Sequence, residues 1–182
     1  NDSNYLMITS TVKSFQIADG KLFWLEGDNN RLYGIPTAGG NYDVVEIDAE
    51  KDTFVHEIEV GDLDGDGVIE VYATPSEPNK LDGTEQSGHV TRYVPAKKEG
   101  RVVVADLGNR HAKEILVRDV DGDGRDELYV AVEAHTEGKG AQTRILEPVE
   151  IRRFDAGTDP TGGTAIATLD DLMTFIGGRD EL

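Results

Sequence analysis

Apolar residues along this chain come in short runs, alternating or continuous, and each run is closed by Gly, Pro, Asn or Asp. That pattern predicts strands and turns, because alternation puts every second side chain on one face while the breakers supply tight-turn backbone geometry. Residues 5–11, 21–26, 31–36 and 42–48 are expected to form a first antiparallel set, with Gly27-Asp28-Asn29-Asn30 as a hairpin turn inside it. Residues 55–61, 69–74, 89–94 and 101–107 form a second set, and residues 113–118, 127–134, 144–155 and 164–169 a third. The short run 169–175 reads as strand or turn.

The sets repeat. The stretch DLDGDGVIE from Asp62 to Glu70 returns as DVDGDGRDE from Asp119 to Glu127, an offset of 57, and Glu57-Ile58 falls on Glu114-Ile115 at the same offset. Glu70-Val71-Tyr72-Ala73 matches Glu127-Leu128-Tyr129-Val130 in character. GGRDEL at Gly177 to Leu182 echoes the DGRDEL of Asp123 to Leu128 without its first acidic positions, so the RDEL tail reads as a degenerate further copy and not as a retention address. Four-stranded sheets at this period point to an all-β fold of β-propeller blades, in which one sheet face buries the next. The expectation is one repeat domain over 1–182, with blades at about 5–54, 55–110 and 111–170 and a degenerate repeat starting over 171–182. Closed propellers typically have about four to eight blades. Three sheets must therefore belong to a larger propeller, assemble from several chains, or stand as an open array.

The repeated loop carries the chemistry. Acidic side chains at its first, third, fifth and ninth positions, with Gly at the fourth and sixth, suit an oxygen cage for a hard cation. Ca²⁺ takes about six to eight oxygen ligands, and alternate residues of a tight turn can aim several carboxylates at one centre. Without a cation, like charges at that spacing repel. An EF-hand shares the opening D-x-D-x-D-G but needs a Glu at its twelfth position and flanking helices. Here the twelfth positions are Ala73 and Val130, and the flanks are strand-like.

Two such loops, each between a run ending in Val60-Gly61 or Val117-Arg118 and a run rich in Val, Ile, Leu and Tyr, resemble the FG-GAP/VCBS-type calcium-binding β-propeller repeat. The resemblance covers Val55 to about Asp170 well, and the first 53 residues only by strand pattern. It implies that Asp62, Asp64, Asp66 and Glu70 ligate one Ca²⁺ with the carbonyl of Val68, and that Asp119, Asp121, Asp123 and Glu127 hold a second with the carbonyl of Arg125. Two ions are expected, and not a third at the degenerate tail. Repeats of this kind occur in integrin α-subunit heads, bacterial surface proteins and the propellers of some rhamnogalacturonan lyases. The resemblance therefore implies a calcium-stabilised binding or assembly module of a secreted, periplasmic or surface protein, with a carbohydrate or protein ligand. The alternatives are a blade set from a propeller polysaccharide lyase or other carbohydrate-active enzyme, and a self-assembling structural repeat protein.

Composition adjusts this picture at a few points. The chain has 36 acidic and 18 basic residues, a formal net charge of -18. Nucleic acid and anionic membrane surfaces are poor partners for it. Cysteine is absent, which excludes disulfides and thiolate metal sites. No apolar run is long enough to span a membrane. A start at Asn1, with no basic-then-apolar leader, is what a processed or excised chain would show. The histidines His56, His89, His111 and His135 do not recur at the repeat offset and read as ordinary strand-end residues. Trp24 and the strand tyrosines read as core before sugar-stacking surface. No nucleophile elbow, zinc-protease motif or phosphate loop is present.

Overall fold

Alternating sequence becomes three four-stranded antiparallel sheets in the computed structural model, which describes residues 12–18, 20–26, 31–36, 45–49, 53–76, 87–138 and 144–168. The first sheet runs β1 (Val12–Ala18), β2 (Lys21–Glu26), β3 (Arg31–Pro36), β4 (Val45–Ala49) in spatial order. The second runs β5 (Phe54–Gly61), β6 (Glu70–Ser76), β7 (His89–Val94), β8 (Glu99–Asp106), with a 3-10 turn at Pro95–Lys97. The third begins with β9 (Ala112–Arg118) and β10 (Glu127–Val132). A two-stranded hairpin, β11 (His135–Glu137) and β12 (Arg144–Glu147), intervenes before β13 (Glu150–Phe154) and β14 (Thr164–Thr168) complete the sheet.

Two expectations differ in detail. The run 144–155 is not one strand: Pro148 cannot donate to a ladder, and it separates β12 from β13. The strand that pairs with β2 is β1, where Phe15 and Ile17 alternate with Gln16 and Ala18. The expected strand over 5–11, the run 169–175 and the echo at Gly177 to Leu182 lie outside the described residues.

The sheets stack face to face, with the first strands β1, β5 and β9 as neighbours. Period-two alternation makes this stacking possible. On β6, Val71 and Ala73 join Phe23, Leu32, Val55, Ile58 and Tyr93 in a cluster between the first and second sheets. Tyr72, one residue along, turns the other way and joins Leu63, Val90 and Leu107 against Val117, Leu128, Val130 and Phe154 of the third sheet. Full burial of such a side chain is worth about 1.5–3 kcal/mol relative to exposure, so these clusters hold the stack. Gly61 marks a close approach, because a Cβ there would collide with Val117 of the third sheet. Polar ties reinforce the other junction: Tyr93 Oη donates to Asp48 Oδ2 at 2.6 Å, and Arg101 reaches the same oxygen at 2.7 Å. Burial first, and then the Asp48 carboxylate, raise the Tyr93 phenol above its ordinary range.

Candidate metal centres

Each acidic loop joins the first two strands of its sheet, β5 to β6 and β9 to β10. The loop glycines are needed for their backbone: Gly65 and Gly67 have φ of 70° and 80°, and Gly122 and Gly124 have 80° and 91°. The first aspartate then organises the turn from inside. Asp62 accepts from Asp66 N at 3.0 Å and Gly67 N at 2.7 Å, and Asp119 accepts from Gly122 N at 2.6 Å and Gly124 N at 2.9 Å. At the seventh position, Val68 N donates to Asp66 Oδ1 and Arg125 N to Asp123 Oδ1, both at 2.9 Å.

This curl gathers carboxylate oxygens. In the second loop Asp119, Asp121, Asp123 and Glu127 each bring one to within 4.8 Å of the others. In the first loop Asp62, Asp64 and Asp66 do so, and Glu70 stands outside the group. Ca²⁺–O distances are about 2.3–2.6 Å, so two ligands of one ion lie at most about 5 Å apart. Both groups satisfy that limit, and both consist of hard oxygen donors only. Two acidic clusters in this chain could therefore hold a metal ion.

The ninth-position glutamates have a second task. Glu70 is buried, and its Oε2 accepts from Leu63 N at 2.9 Å and from the Tyr72 hydroxyl. Glu127 repeats this with Val120 N at 3.2 Å and Tyr129 Oη at 3.0 Å. Each thereby pins the second residue of its loop to the second strand of the sheet. Burial pushes the Glu70 carboxyl up, with the Tyr72 bond and Arg92 acting against that.

Three cations that the sequence reading passed over sit on these carboxylates. Arg92 Nη1 lies 2.8 Å from Glu70 Oε1 and 3.5 Å from Asp64 Oδ2. The contact with Glu70 is close but poorly directed, since Oε1 accepts no well-formed hydrogen bond, so it is a charge contact. Arg153 holds the equivalent place in the third sheet, at 2.9 Å from Asp121 Oδ2 and 3.5 Å from Glu127 Oε1. Both arginines face the tyrosine of their loop across the ladder, Tyr72 opposite Arg92 and Tyr129 opposite Arg153. The third cation has no counterpart among the described residues: Lys97 contacts Asp66 and, through that bond, holds its carboxyl below the usual range.

Asp126 was likewise passed over. Its carboxylate accepts from Asp62 N at 2.8 Å and from Asp119 N at 2.9 Å, so one side chain fixes the starts of both loops. Of the histidines, His56 and His111 come together with ring centroids 6.2 Å apart, away from the acidic loops. Comparison of the chain with protein-family models, curated proteins and solved structures finds no match.

Proposed function

We propose that this chain is a set of β-propeller-type blades of the FG-GAP/VCBS kind, clamped by two calcium ions, that serves as a binding or assembly module of a secreted, periplasmic or surface protein. The gathering of the Asp119, Asp121, Asp123 and Glu127 oxygens into one group, in a loop that joins two strands of a sheet, carries this reading. A clamp there offsets carboxylate repulsion and removes the conformational freedom of the joint between strands. Extracellular calcium modules work with Kd of about 10⁻⁴–10⁻³ M, which suits loops as exposed as these. Three stacked four-stranded sheets with neighbouring first strands are compatible with an arc of a propeller.

Thermal melting in excess EGTA and in millimolar Ca²⁺ tests the reading. Calcium raises the melting temperature, and Mg²⁺ at equal concentration raises it less, because Mg²⁺ demands a tighter octahedral shell. Identical melting in EGTA and Ca²⁺ overturns the proposal. Calorimetric titration gives the stoichiometry, expected to be two.

A further inference from the structure

Among the described residues the stack has two ends, and they differ. In the second sheet, the face turned to the third carries Tyr72 and Val90, with Leu63 of the loop folded over it at 6% exposure. The corresponding face of the third sheet points outward. It carries Tyr129 and Ile151, with Val120 at the position of Leu63 and 57% exposed. The equivalence follows from pairing, since Tyr72 opposes Arg92 and Tyr129 opposes Arg153. Leu116, Val120, Tyr129, Ala131 and Ile151 line an almost wholly apolar shallow groove on that face. Inside the molecule the same face is roofed by a neighbouring sheet.

The opposite end presents the complementary side. Inside the stack, the roofing face of the third sheet is aliphatic and aromatic, with Val117, Leu128 and Phe154. In the first sheet the equivalent outward side is the one opposite Phe23, which points into the core. The cross-strand row Phe15–Trp24–Tyr33 lies there: Trp24, stacked on Tyr33 at a centroid distance of 5.1 Å, is itself buried at 8% exposure, and the β1 edge of the row is the open part. Phe15 and Ile17 are 62% and 64% exposed.

We propose that this chain associates head to tail with further copies of itself, the outer face of the third sheet seating on the outer face of the next copy's first sheet. The contact continues the order of faces already used twice within the chain, and the first sheet of a second copy offers a face of the kind that order requires. It is heterologous, joining two different patches, and therefore closes into a ring or extends as a filament according to the rotation per copy. One position departs from the internal pattern: Arg118 stands where the second sheet has Gly61, so the new contact is wider at that corner. The inference deepens the assembly part of the function proposed above and rests on packing alone. Calcium-insensitive melting and failure to associate are thus separate outcomes.

The test is solution mass by light scattering at submillimolar concentration, with and without Ca²⁺, on the full chain. The unaltered protein is expected at twice the monomer mass or a larger multiple. Val120→Asp and Phe15→Asp, both at exposed positions, are each expected to lose that association while keeping the far-ultraviolet circular dichroism of the parent. Mixing the two variants leaves one intact pair of faces, so an equimolar mixture recovers dimers and nothing larger. A strictly monomeric parent overturns the proposal, and so do variants that keep the parental mass or a mixture that stays monomeric.

Discussion

The two acidic loops share six of nine residues, yet they do not present the same site. The loop at Asp62–Glu70 lies under the third sheet: Leu63 is buried, Glu70 is turned inward to Leu63, Tyr72 and Arg92, and Lys97 covers Asp66. The loop at Asp119–Glu127 has no sheet above it among the described residues, Val120 is exposed, and all four acidic ligand positions converge. The difference teaches that a metal-binding motif sets which oxygens are present, while its neighbours set how many of them converge, since the ninth-position glutamate serves the chain's own donors in both loops.

Removing the ninth-position glutamates should sharpen the contrast most. Glu70→Ala strips a buried carboxylate from Arg92, Leu63 N and Tyr72, and breaking a buried pair from one side costs about 3–5 kcal/mol. Glu127→Ala should cost less, because Arg153 lies farther away at 3.5 Å and is more exposed than Arg92. Urea denaturation in EGTA measures both, and equal losses would erase the distinction. Next comes the metal itself. A ligand at one hundred times its Kd stabilises by about 2.7 kcal/mol. Asp123→Asn should abolish more of the calcium-dependent rise in melting temperature than Asp66→Asn, since only the second loop gathers four carboxylates.

Smaller effects follow from what the loops share and from what covers one of them. Asp126→Ala leaves Asp62 N and Asp119 N without their acceptor, a loss of about 1–3 kcal/mol that calcium does not restore. Chemical denaturation of the variant with and without the ion checks this. Lys97→Ala should leave melting in EGTA nearly unchanged, because exposed ion pairs contribute little. It should nevertheless tighten calcium binding at the first loop by freeing Asp66. Titration calorimetry in a background of Asp119→Asn, so that the first loop alone is read, compares the chain with and without the Lys97→Ala change.

Much of this was legible in the residues. Strands β2, β3 and β7 coincide with the apolar runs that predicted them, since those runs are short and turn-forming residues flank them. The acidic side chains at alternate positions and the four loop glycines announced two oxygen-lined turns. The arginines escaped because the repeat has two offsets. Asp64 and Asp121 are 57 apart, whereas Arg92 and Arg153 are 61 apart, so comparison at one fixed interval sets Arg92 against Val149. The bridging role of Asp126 escaped for another reason. Its counterpart in the first loop is Ile69, and a contact spanning 64 residues leaves no local trace. Burial of Glu70 and Glu127 also has no sequence signature, because it depends on how the loop amide and the following tyrosine close over each carboxylate.

The two offsets part within the connection from second to third strand, which in the third sheet holds the hairpin of β11 and β12. That hairpin has a practical side. It is inserted between β10 and β13, yet these strands pair without a break from Leu128 opposite Phe154 to Val132 opposite Glu150. The connection between the second and third strands thus tolerates changes in length while the ladder beneath it keeps register. Loop closure costs only about 0.6 kcal/mol for each doubling of length. Foreign peptides or reporter tags spliced into this hairpin would be displayed without disturbing the strands that hold the cation loops, which makes it the natural graft point of the molecule.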